Sequence, residues 1–528
     1  MEGLQANSYS IKDTIFADDN AILSLLYILE SGKQEFFFAL YPNDKCIMRA
    51  TICRLHDSRY QLDFVIPESF VDEINMDDFF CKPAILFIPA PTGSNVSNIS
   101  IFISQNDVES VSLSIAENAP RKATVIIKAF RADSEDNKWK DSKQTALFRF
   151  NPQDFNPNHN RGVIYDMTTN INQQHSFKNA VKIGFGKTTY IFYHEIISED
   201  LGFFIIKSPN KVCHEDFVNV VDSIRSAYAL LNGYYIADSV FYVSMKPGRK
   251  ETLTFKYQSL NNTINSQKPL IDFHHYTNLE DKRILLTSEN FESLVRLLYN
   301  NVELRRACIL ITQAGCLDNI SKGILASVAL ETSTSHFVSK ETSKPIKLIE
   351  DKNIIRQLTY ELKKAIKKIK DKVDKVTWDK LSSKIGKFNE LPNAIKLSTP
   401  FTSLGINLSE GEEYCLSCRN LFLHGSIPRP KDETYKYLSH VELQTLIANR
   451  LCMLSAMLML KQAGYCGLVV DWGLQRLCTD ERLLLDMVLN ICHSSIEIFL
   501  CQRMTTVGAY KSMCIEKNSW LFEILRWF

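Results

Sequence analysis

The stretch from Tyr414 to Pro430 reads YCLSCRNLFLHGSIPRP and holds the residues best suited to chemistry. Leu416, Leu421, Phe422 and Leu423 suit a buried helix, which Gly425 stops and Pro428 keeps from resuming. Arg419, Asn420 and His424 are polar residues for which such a helix has little use. At roughly 100° per residue, Asn420 and His424 share one face. Arg419 is offset, but its long side chain can reach round. His424 falls in the last turn, whose negative end favours an imidazolium. A permanent cation, an amide and an acid/base that titrates near neutrality can together bind a phosphodiester and move its protons. The competing reading is a structural Arg/His pair that only holds the helix. Glu412 and Glu413, one to two turns before Arg419, either orient its guanidinium or serve as acids in the first turn.

Four other groups of residues invite chemical readings. Gly184-Phe185-Gly186-Lys187-Thr188 ends like a phosphate-binding loop, but the glycine required five places before Gly186 is Val181. The run Tyr190-Ile191-Phe192-Tyr193 that follows reads as strand, so a β-hairpin turn is expected there. Cys415 and Cys418 form a lone CxxC. A structural zinc needs four ligands, and Cys452 and Cys466 lie at no recognised spacing, so buried thiols are expected and no metal or cofactor. His274 and His275 follow Asp272 closely, but adjacent strand residues face opposite ways, which favours a loop or surface pair. The span Lys352 to Lys387 holds twelve Lys/Arg and four Asp/Glu, a net of +8, with Lys363, Lys364, Lys367, Lys368 and Lys370 crowded into two turns. It is either the solvated face of an amphipathic helix or a groove that guides an RNA backbone through Lys363, Lys364, Lys367 and Lys368.

These candidates sit in a chain of 528 residues, too long for one compact core. Its 45% hydrophobic and 23% charged content is that of ordinary globular protein, and its net charge of +1 gives no global nucleic-acid signal. The polar start MEGLQANSYSIKD and fourteen scattered cysteines lead us to expect unpaired thiols in the cytoplasm. No charge-free apolar run approaches about 18 residues, so neither a membrane span nor a membrane partner is expected.

The first half reads as β. Runs at 35–40, 84–88 and 123–127 are short, rich in β-branched or aromatic residues and bounded by turn formers, which suggests an antiparallel, sandwich-like sheet. An exposed loop is expected at 133–143, a helix at 215–231 capped by Gly233, and a strand at 239–245. From about Leu285 the period becomes helical. Helices are expected at 289–299, at 305–330 punctuated by Gly315 and Gly323, at 353–376 with one apolar stripe, through the signature, and at 441–460. Residues 474–528 read as further helix. The fold class expected is α+β and multidomain. A β-rich domain spans 1–280, a helical bundle spans 281–475, and a helical extension spans 476–528.

The run Arg419-Asn420-Leu421-Phe422-Leu423-His424-Gly425 resembles the signature of the HEPN superfamily, in which Arg, a polar neighbour, three further residues and His stand near a helix end. The layout, a β-rich first half before that helix, resembles the ApeA-type anti-phage proteins. The resemblance implies an all-α HEPN bundle and a metal-independent endoribonuclease acting in abortive infection, with tRNA among its candidate substrates. It implies a homodimer in which two signature helices face one cleft, with Arg419, Asn420 and His424 catalytic and RNA as substrate. The first domain would then answer an unknown phage trigger. The alternative is an inactive HEPN dimerisation module carrying a ligand-binding β domain.

Overall fold

The computed structural model describes residues 34–473 except 41–46, 57, 67–83, 89–98, 115–120, 133–138, 140–141, 154–163, 166–168, 173–174, 178–179, 197, 237–238, 246–252, 261–263, 267–268, 272–285, 342–348, 350, 387, 390–392, 430–437 and 468. Asp272, His274 and His275, most of the loop expected at 133–143, and the segment 474–528 therefore lie outside the described residues. The architecture is α+β, with an antiparallel β-rich half followed by a helical half. The chain forms two compact units, one of 1–267 with 285–300 and the other of 268–284 with 301–528.

In the first unit fourteen strands join into one antiparallel sheet, with Val181–Phe185 at one edge and Val108–Ser114 at the other. Midway, Ile99–Ile103 meets Ala129–Arg131 through the single pairing Phe102–Arg131, a weak seam between two halves. Residues from both halves line one core: Ile52, Tyr60 and Leu62 from one, Phe203, Ile205, Phe241 and Phe255 from the other.

The strands Ser142–Phe150, Thr188–Ile196 and Gly202–Val212 are buried on both faces. Their second face is covered by helix α1 (His214–Asn232), whose Phe217, Val220, Val221 and Ile224 recur at helical spacing, and by α2 (Ser288–Tyr299). Double burial explains the apolar runs Ala146-Leu147-Phe148, Tyr190-Ile191-Phe192-Tyr193 and Phe203-Phe204-Ile205-Ile206 within them. Ser142 and Lys143, expected in a loop, begin a strand: Ser142 pairs with Val212 and Lys143 with Met245, and Ser142 Oγ accepts a bond from Ser244 Oγ at 2.6 Å. The helix expected at 289–299 packs with this unit: Glu292 accepts the Gly184 amide at 2.9 Å. Phe185 and Thr188 pair across a two-residue turn in which Gly186 takes φ 59°, so the loop that mimics a phosphate site is a β-hairpin.

The second unit holds α3 (Val302–Cys316), α4 (Asn319–Glu341), α5 (Lys352–Lys367), α6 (Lys375–Gly386), α7 (Asn393–Ser403), α8 (Glu410–Leu423) and α9 (His440–Gln462). The single run expected at 305–330 is two helices. Neither glycine divides them; the break falls at Leu317–Asp318, where Asp318 Oδ1 caps α4 by accepting from the amides of Ile320 (3.0 Å) and Ser321 (3.1 Å). The run expected at 353–376 ends at Lys367 and resumes as α6 after a 3₁₀ turn. Helix α9 is long and apolar enough to cross a membrane by length and composition, yet 94% of its most apolar stretch is buried, as befits a core helix. It packs on α3, α4 and α8, and α7 and α8 pack on α4.

Candidate functional site

The site residues are placed by α8. Ser409 and Glu412 start it with a reciprocal cap: Ser409 Oγ accepts the Glu412 amide at 3.3 Å, while Glu412 Oε2 accepts the Ser409 amide and hydroxyl, each at 2.7 Å. This fixes Glu412 at the start of the helix and answers one open question from the sequence. Its carboxylate caps the helix and is not the partner of Arg419.

The end of α8 is equally well defined. His424 is the last, half-helical residue, and Gly425 follows at φ +67°. Ser426 N donates to Leu421 O at 2.7 Å and Gly425 N to Phe422 O at 3.0 Å. These two bonds require the left-handed conformation at Gly425, which a side chain would oppose. The chain then returns, and Tyr414 Oη donates to Arg429 O at 2.7 Å, tying the exit to the body of the helix.

Helix packing sets which way each polar group faces. Phe422 is buried and sits where α4 carries Gly323; a Cβ there would collide with the Phe422 ring. Ser327 Oγ, one turn on, donates to Gly323 O at 2.7 Å and approaches Arg419 O at 3.3 Å. This close approach turns the Arg419 side chain toward α4, where its Nη1 forms an ion pair with Glu331. The guanidinium is nearly buried, and its Nε has no hydrogen-bond partner. Desolvation lowers its proton affinity below the ordinary arginine value.

Asn420 and His424 face the other way and are exposed, one turn apart, with His424 N donating to Asn420 O at 3.1 Å. The structure therefore brings Asn420 and His424 together on an open face. Arg419 begins at the same helix end, but its charge is directed to Glu331. Sequence reading missed Glu331. The available signal was a lone carboxylate midway along α4, among Ala329, Leu330 and the hydroxyl run Thr332 to Ser335.

Cys415 and Cys418 are both buried. Burial pushes the Cys415 thiol up to about 12, against the pull of the nearby Arg450 guanidinium. Arg450 is itself held by Asp471, Nε to Oδ2 at 2.9 Å, which ties α9 to the chain beyond it. Among the described residues no three His, Cys, Asp or Glu groups gather as metal ligands would. Lys363, Lys364 and Lys367 are exposed on α5, which packs against α6, and Lys368 is exposed just past its end.

Comparison of the chain with protein-family models, curated proteins and solved structures finds no match.

Proposed function

We propose that the protein is a HEPN-type endoribonuclease that cleaves RNA by transesterification. The observation that carries this reading is the open face at the end of α8, where Asn420 and His424 stand one turn apart beside Arg419. In the reaction a 2′-hydroxyl loses its proton and its oxygen bonds to the adjacent phosphorus. The P–O5′ bond breaks, and the 5′ oxygen takes up a proton. The products are a 2′,3′-cyclic phosphate and a 5′-hydroxyl. His424 exchanges the protons, Asn420 positions the phosphate by hydrogen bonding, and Arg419 stabilises the charge that builds on the phosphoryl oxygens. One helix end carries a single imidazole, so a base and an acid both require two copies of the chain. We therefore expect a homodimer with two α8 ends across one cleft. Arg419 must exchange Glu331 for the phosphate when RNA binds. In this reading the β-rich unit responds to a phage component, and the enzyme acts in abortive infection.

The Arg419–Glu331 pair also supports a second reading, in which Arg419 only joins α8 to α4 and the bundle is an inactive dimerisation module. Incubating the purified full chain with RNA and analysing the ends separates the two. Cyclic phosphate ends that His424→Ala abolishes support the nuclease. Intact RNA at every protein concentration supports the module.

A further inference from the structure

The helical hairpin α5–α6 stands out in the second unit because none of its residues is fully buried. It is a built element all the same. Asn389 closes its base by accepting the Ile349 amide at 2.9 Å and donating to Ile349 O at 3.1 Å. Asp374 caps α6, accepting the Thr377 amide and hydroxyl at 2.9 and 2.7 Å. Lys370 lies over the Trp378 ring at 5.8 Å.

Helix α6 shields only one flank of α5, leaving Ile355, Thr359 and Ile366 half-buried. The stripe beside that flank stays in solvent. Ile354, Leu358 and Leu362 are 48%, 39% and 37% exposed, and Ile369 beyond the helix end is 37% exposed. Ile354, Leu358 and Leu362 follow one another at i, i+4, so they line a single face over more than half of a helix about 24 Å long. At about 100° per residue, Glu361 and Lys368 flank that face, Lys364 lies further round, and Arg356, Lys363 and Lys367 lie opposite it.

We propose that this hairpin docks the protein on an anionic lipid surface, with the Ile354–Leu358–Leu362 stripe set between the headgroups. This revises the expectation of no membrane partner; it concerns attachment to a surface and not a span. An apolar stripe backed by a lysine-rich polar face is the pattern of helices that lie in the plane of a bilayer interface. The long lysine stems let the flanking ammonium groups rise to the phosphates while the stripe enters the acyl boundary. The charge of the span selects this occupant over others. A second copy on the stripe would bring two segments of net +8 together. RNA would satisfy the lysines but leave the leucines in water. An anionic bilayer satisfies both, each basic residue near its surface adding about fivefold to the attraction.

The test is flotation of the purified full chain with vesicles of phosphatidylcholine alone or mixed with phosphatidylserine. We expect recovery with the mixed vesicles only, lost as salt rises. Leu358→Gln with Leu362→Gln should lower recovery at least about tenfold, since both leucines leave the acyl boundary. Their exposure in the free protein means that the thermal midpoint should hold. Absence from the floating fraction, or flotation that the leucine pair does not change, would overturn the proposal. So would a fall in midpoint with the leucine pair, which would show the stripe covered by the rest of the chain. A fall in solution mass with the same pair would place a second copy on the stripe. Binding of an RNA oligonucleotide in place of vesicles, indifferent to the leucines, would show that the lysines serve nucleic acid.

Discussion

Arg419 on α8 and Glu331 on α4 form an ion pair that joins the two helices, with the arginine side chain 5% exposed and the carboxylate 42% exposed. The pair is lopsided. Its cation is desolvated while its anion still meets water, so solvent screens the attraction, and holding the helices together accounts for only about 1 kcal/mol. A guanidinium with a buried Nε lacking a partner is not fully committed to Glu331, and a phosphate would complete its donors.

Glu331→Gln should therefore lower stability by about 1 kcal/mol and leave RNA cleavage intact or faster, because Arg419 is released. Arg419→Lys should cost about a hundredfold in rate with little change in stability, since an ammonium cannot grip two phosphoryl oxygens at once. Rates and thermal midpoints of both variants decide the matter. Equal, small losses of stability with unchanged rates would make Arg419 a helix tie alone.

Gly323→Ala should destabilise the second unit by about 1–3 kcal/mol, because its Cβ meets the buried Phe422 ring between α4 and α8. Chemical denaturation measures this. The same variant should disturb the α8 end, so cleavage should fall at temperatures well below the melting point. An unchanged denaturation midpoint would mean that α8 does not pack on Gly323 in solution.

Cys415 should resist alkylation in the folded protein at pH 8, while the exposed Cys213 and Cys466 react. Its thiol is raised from the ordinary 9.0 to about 12 by burial. A raised pKa means that the folded state holds its proton more tightly than the unfolded state. The contribution to stability is therefore complete below pH 9 and is lost as the pH climbs toward 12. Mass spectrometry after a short iodoacetamide pulse is the check; early labelling of Cys415 would contradict the burial.

Cleavage should persist in EDTA. The nucleophile in the proposed reaction is the 2′-hydroxyl of the substrate, activated by an imidazole, so no metal-bound water is called for. Activity that disappears on chelation and returns with magnesium or manganese would redirect the mechanism.

Much of this organisation was legible because local patterns agreed with tertiary placement. The strand Ser239–Met245 follows from a short run of β-branched and aromatic residues, and α1 ends at Gly233 because the left-handed cap needs a glycine. Illegible features came from contacts between distant residues. Gly315 and Gly323 resemble breakers, yet both lie inside helices, and Gly323 exists to admit Phe422. The stripe 353–376 keeps its period through a break that only the Lys370 turn reveals. At the site, spacing alone predicts the shared face of Asn420 and His424. No local rule predicts that Arg419 turns to a carboxylate 88 positions away in sequence (419 against 331).

The central claim is that the exposed end of α8 cleaves RNA, and His424 is where it is most open to test. The measurement is the appearance of 2′,3′-cyclic phosphate ends when purified wild-type and His424→Ala chains of equal thermal midpoint and equal solution mass are incubated with RNA. Because His424 is exposed, its removal should leave the fold intact and take the ends away. The same cleavage rate from a folded His424→Ala protein would contradict the account.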